Sequence, residues 1–183
     1  MGIMPLLRRL AVMMAVGAGL SVGLPAAAIA SDIVALGASN TEGKGRGRTP
    51  DGVPRSQAYP AQLQQMLRGS GCRASVTNAG IAGNTTGQML KRLPGVVKPS
   101  TRVLILQPGG NDARRGEGGD AAANIAAIQA FAASRNIQVV MLESLGRLAP
   151  SYRLPDGQHF SAEGHQAFAA YLAPTILASP ACR

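Results

Sequence analysis

Val103-Leu104-Ile105-Leu106 is a run of four consecutive aliphatic residues, with none of the alternation that a strand with one wet face would show. Such a run fits a strand covered on both faces, the environment of a parallel sheet. Three further short β-branched or aliphatic runs stand at 33–36, 74–78 and 137–142. The stretches between them space apolar residues for one helix face: Leu63, Met66 and Leu67 in one, Ile125, Ile128 and Phe131 in another. Strands alternating with helices predict an α/β domain whose parallel sheet is covered on both faces.

The pattern places strands at Asp32–Gly37, Ala74–Asn78, Arg102–Gln107 and Ile137–Leu142. A polar loop from Asn40 to Gln57 leads to a helix capped by Ser56, with Pro60 in its first turn and an end near Gly69-Ser70-Gly71. A second helix is expected from Thr85 to Leu93, stopping ahead of Pro94. A third runs from Asp120 to Ser134. Residues 143–158 read as loop, and Ser161 caps a last helix that Pro174 interrupts.

Arg8-Arg9, an apolar run from Leu10 to Leu24, Pro25 and then Ala28-Ile29-Ala30 form the pattern of an export signal cleaved after Ala30. The run falls short of the roughly 20 residues of a spanning helix. The expected product is an exported protein, periplasmic or secreted and without a stable membrane anchor, whose residues 31–183 form one domain. Without Arg8 and Arg9, the 18 basic side chains become 16 against 9 acidic ones, a net charge of +7. That surplus favours anionic partners. With no tryptophan and few aromatics the chain lacks base-stacking surfaces, so nucleic acid is not an expected partner. Cys72 and Cys182 are too few for a zinc cage and too far apart for a redox pair, and in an oxidising compartment they suggest one disulfide. No metal or other cofactor is expected.

In an open parallel sheet, sites form beyond the carboxyl ends of the strands. There stand Ser39 after the first strand, Gly83-Asn84 after the second and Asn111-Asp112 after the third. A serine on a tight turn has an exposed hydroxyl and nearby backbone N–H groups, the parts an acyl-transfer nucleophile uses. It also needs a base. Of the two histidines, His159 follows Asp156 by three residues, a spacing that lets the carboxylate hold one ring nitrogen. His165 has no such partner and reads as a helix-surface residue.

Four blocks carry a resemblance: Gly37-Ala38-Ser39-Asn40, residues 78–85 around Gly83, Gly109-Gly110-Asn111-Asp112, and Asp156-Gly157-Gln158-His159. In this order they resemble the SGNH (GDSL) hydrolases across nearly the whole chain after residue 30. The resemblance implies a three-layer α/β/α sandwich with a flavodoxin-like parallel sheet. It also implies a serine ester hydrolase in which Ser39 attacks, His159 is the general base and Asp156 orients it. The Ser39 and Gly83 N–H groups and the Asn111 amide would form the oxyanion hole. The substrate would be a small-molecule, lipid or polysaccharide acyl ester; Asn40, Asn84, Arg46 and Arg48 are the candidate contacts. The basic loop carrying Lys44, Arg46 and Arg48 suggests an anionic substrate, the alternative being a solvated loop.

Two departures from the family pattern stand out. Ala38 replaces the usual aspartate before the serine, and only about a dozen residues separate the fourth strand from Asp156, so the sheet is expected to be trimmed to about four main strands. A non-catalytic anion- or polysaccharide-binding relative, or an acyltransferase with the same triad, are the competing readings.

Overall fold

The computed structural model describes residues 31–43, 52–142 and 150–183. The expected export signal and the Lys44, Arg46 and Arg48 cluster lie outside the described residues. Four parallel strands, β1 (Asp32–Gly37), β2 (Ser75–Gly80), β3 (Thr101–Gln107) and β4 (Gln138–Met141), form one sheet in the order β2-β1-β3-β4. The helices are α1 (Ser39–Glu42), α2 (Tyr59–Gly69), α3 (Thr86–Val96), α4 (Asn111–Arg114), α5 (Ala121–Ala133) and α6 (Ala162–Leu177).

The aliphatic runs are continuous because successive side chains enter opposite cores. Ile33 and Ala35 of β1, with Val103 and Ile105 of β3, meet α2 and α6 through Leu63, Leu67, Phe168 and Leu172. Val34, Leu36, Leu104 and Leu106 point the other way, onto Met89 and Leu93 of α3 and Ile128 and Ala132 of α5. The sheet is thus the middle of three layers, as the strand period of two requires. Cys72, just after α2, is joined to Cys182 by a disulfide that ties the C-terminus to the body.

Proline proves a weaker boundary than its intrinsic preference implies. Pro94 lies inside α3 and Pro174 inside α6. Each falls within the last turn, where only a single backbone bond is lost, and Pro94 is exposed so that water can serve the freed carbonyl. The cap expected at Ser56 is also displaced: α2 begins after Ala58 with Pro60 in its first turn. Thr85 caps α3 in a reciprocal box with Gln88, and Ser161 caps α6.

His165 is the clearest correction among single residues. It is buried, not on the helix surface, because α6 turns that face onto α2 and the Phe160 side chain. The Tyr59 N–H donates to its Nδ1 at 3.2 Å, so a helix-terminal donor supplies the partner that no nearby acid could. Burial, with a smaller push from His159, lowers its pKa to about 4.

Candidate active site

From β1 the chain crosses first to β2 on one side and later to β3 on the other, which leaves a crevice between the carboxyl ends of β1 and β3. A cleft of about 370 Å³ opens there, lined by Ser39, Asn40, Gln107, Gly109, Asn111, Arg114, Arg153 and His159 among others. Residues from the start of α1 and from the approach to α6 thus meet over one strand edge.

Ser39 is the first residue of α1, and the turn before it leaves no room to spare. A Cβ on Gly37 would lie 2.0 Å from Thr41 Oγ1, so only glycine fits. Thr41 donates to Gln107 Oε1 at 3.0 Å and accepts from the Tyr59 hydroxyl at 3.3 Å, pinning α1 to the end of β3. The Gly37 carbonyl accepts from Arg92 Nη2 at 3.1 Å, and the same guanidinium donates through Nε to Asn84 Oδ1 at 2.8 Å. Ala38 offers no side-chain cap. The brace of this turn comes from Thr41 and Arg92.

Ser39 Oγ lies 2.9 Å from His159 Nε2. The other ring nitrogen, Nδ1, bonds to Asp156 Oδ2. A carboxylate partner at Nδ1 places the ring proton there and leaves Nε2 bare, able to accept from the serine hydroxyl. Asp156 Oδ1 in turn accepts from the N–H groups of Gln158 at 2.8 Å and His159 at 3.0 Å. Burial pushes the Asp156 carboxyl up, but the His159 and Gln158 donors outweigh it and hold it below the usual carboxylate range.

Asn40 and Asn84 line up differently from the substrate contacts expected of them. Asn40 spends both ends of its amide on the backbone flanking His159, donating to the Gln158 carbonyl at 3.1 Å and accepting from Phe160 N–H at 3.2 Å. The Asn84 amide is engaged by Arg92 and by Gln88. Asn111 donates through Nδ2 to the Asn84 carbonyl at 2.9 Å while its Oδ1 accepts from Arg114 at 3.1 Å, which fixes the amide with one Nδ2 hydrogen left over. Gly83 is buried with φ 75°, a left-handed conformation suited to glycine, but it is not in the cleft lining. Among the described residues, the Ser39 and Gly83 N–H groups meet no acceptor. Arg46 and Arg48 lie outside the described residues.

Asp112, adjacent to Asn111, is buried and accepts from the N–H and hydroxyl of Thr86, joining α4 to the first turn of α3. Sequence reasoning missed this clamp and the Thr41–Gln107 pair. The one signal for the latter was a polar residue, Gln107, closing the aliphatic run of β3.

The model of the GDSL-like lipase/acylhydrolase family matches residues 35–170, well over half of the chain. The chain belongs to this family. Among solved structures, this GDSL-like chain is similar to AlinE4, an SGNH-hydrolase family esterase, at 28% identity and a TM-score of 0.53, covering 80% of this chain and 72% of that one. It is also similar to TesA, at 20% identity and a TM-score of 0.67 over 80% and 98% of the two chains. A putative arylesterase from Agrobacterium tumefaciens gives 17% identity and a TM-score of 0.57 over 80% and 98%. The last two likenesses concern the fold. No curated protein sequence matches the chain.

Proposed function

We propose that the protein is a serine ester hydrolase working through an acyl-enzyme. The observation that carries this reading is the unbroken line Ser39 Oγ, His159 Nε2, His159 Nδ1, Asp156 Oδ2 in a cleft at the sheet's switch point. Ser39 Oγ attacks the ester carbonyl as His159 Nε2 takes its proton, and the carbonyl electrons move onto oxygen. That oxyanion is received by the Ser39 N–H group and the remaining Asn111 Nδ2 hydrogen, donors of the kind whose loss costs about 10²- to 10³-fold in turnover, while the Gly83 N–H that the family resemblance adds stands outside the cleft lining. Collapse expels the alcohol, which leaves with the His159 proton. Water, deprotonated by the same imidazole, then frees the acid and restores Ser39. Asp156 keeps the imidazole in the productive tautomer throughout.

Export after cleavage at Ala30 belongs to the same reading. The Ser31 carbonyl accepts from Ser75 N–H at 3.0 Å and the Asp32 N–H donates to the Ser100 carbonyl at 3.0 Å. A chain starting at Ser31 keeps all of β1. N-terminal sequencing of protein recovered from outside the cytoplasm tests this, and a start upstream of the apolar run overturns it.

The enzymatic reading is tested by burst release of p-nitrophenol from short-chain esters together with fluorophosphonate labelling. The wild-type chain is expected to show both and Ser39→Ala neither. Equal rates in the two proteins would end this reading.

A further inference from the structure

The cleft carries positive charge on both sides of the reacting groups. Arg153 lines it next to His159, and Arg114 lines it next to Asn111. Among the described residues each guanidinium makes a single short polar contact, Arg153 Nη1 to the Gly157 carbonyl at 3.1 Å and Arg114 Nη1 to Asn111 Oδ1 at 3.1 Å. A guanidinium has five N–H donors, so most of each remains available. Among the described residues neither arginine has a carboxylate partner, and no acidic side chain lines the cleft.

The direction of the chemistry says which half of a substrate would meet this charge. His159 Nε2 must hand its proton to the leaving oxygen, so the alcohol portion of a bound ester lies toward the imidazole. Arg153 is fixed to Gly157, within the loop that carries Asp156 and His159, and so borders that portion. Arg114 adds a second positive charge from the wall carrying the oxyanion donor.

Resting on the proposed esterase reading, we infer that the preferred substrates are acyl esters whose alcohol portion bears an anionic group, a carboxylate or a phosphate, with Arg153 as the principal recognition residue and Arg114 as its support. A planar bidentate donor suits either anion. This places recognition in the cleft itself, apart from the basic loop at 44–48.

Three acetate esters on one aromatic frame test it: para-acetoxybenzoate, para-acetoxyphenyl phosphate and the neutral methyl para-acetoxybenzoate. The readout is kcat/KM for each anion divided by that for the neutral ester, which cancels damage common to both. Arg153→Gln is expected to lower this ratio about fivefold to tenfold and Arg114→Gln by less, with Arg153→Lys retaining most of it. Raising ionic strength should lower the ratio in the parent chain. Of the two anions, the one losing more in Arg153→Gln identifies the headgroup. Fluorophosphonate labelling of Ser39 reports that each variant's site is assembled; where a variant does not label, the salt dependence of the parent decides. A labelled, active parent whose ratio is unmoved by salt and by either Gln variant overturns this inference alone. An unlabelled parent, inactive on all three esters, instead overturns the esterase reading beneath it.

Discussion

Asn40 Nδ2 donates to the Gln158 carbonyl at 3.1 Å, so the residue after the candidate nucleophile grips the chain just before the candidate base. Its Oδ1 completes the grip by accepting from Phe160 N–H. One amide thereby sets the separation of Ser39 and His159, which come from elements 120 residues apart.

Removing that grip should loosen the base without removing any reacting group. Asn40→Ala is expected to lower kcat about 10- to 100-fold with a smaller change in KM, since misplacing a catalytic group by about 1 Å is enough for such a loss. Asn40→Asp keeps the acceptor for Phe160 and loses the donor to Gln158, and it should fall between. Steady-state kinetics on one p-nitrophenyl ester, alongside fluorophosphonate labelling rates, check both.

Asp156→Asn tests the carboxylate by charge with little change in shape. The amide can present the wrong atom to Nδ1 and favour the tautomer that blocks Nε2, so turnover should drop up to about 10⁴-fold. Because the donors around it hold the Asp156 carboxyl below the usual range, the wild-type carboxylate stays ionised in mild acid. Any loss of rate there must come from another group, and a pH profile of kcat/KM measured beside thermal stability at each pH separates the two.

His165 supplies such a separate effect, on stability. Its folded pKa of about 4 lies below the ordinary value of 6.5, so the unfolded chain binds the extra proton first. Stability from this group is complete above pH 6.5 and is lost as pH falls toward 4, by about 3 kcal/mol in all. His165→Gln keeps an acceptor for the Tyr59 N–H and removes the titration, so urea unfolding of that variant should vary less with pH over this window.

The disulfide should matter for unfolding and little for chemistry, since Cys72 and Cys182 lie in the α2/α6 core layer, away from the cleft. Closing a loop with a sequence separation of 110 contributes about 5 kcal/mol in the loop-entropy picture. Replacing both cysteines with serine should lower the denaturant midpoint accordingly and leave the ester rate at 25 °C near that of the parent. Thiol counting on the unreduced protein should find none free.

The legible parts of the sequence were those written in local chemistry. The β1 bounds, Asp32–Gly37, follow from an aliphatic run ended by glycine, and the contact of Asp156 with His159 follows from their three-residue spacing. What escaped was set by pairs distant in sequence. Asn40, which lines the cleft, was legible only as a substrate contact, because the partners it grips, Gln158 and Phe160, are brought to it only by folding. His165 looked solvated because helix periodicity does not reveal that α6 buries this residue against α2. Pro94 and Pro174 misled because their backbone cost is small in a last helical turn.

The absent aspartate at position 38 poses the sharpest of these distant questions, since a turn without its usual brace must be held by something else. Thr41 is that something: its hydroxyl is the node between Gln107 and Tyr59, directly beneath Gly37. Thr41→Val keeps the shape but leaves Gln107 Oε1 and the Tyr59 hydroxyl, both buried, without this partner. An unsatisfied buried polar group costs about 1 to 3 kcal/mol. The variant should therefore lose stability in that range and, because α1 carries Ser39, lose turnover as well. Thr41→Ser restores the hydroxyl and should recover most of both. If Thr41→Val matched the parent in urea midpoint and in kcat, the turn would not depend on this brace, and the Arg92 contact to the Gly37 carbonyl would be the one to remove next.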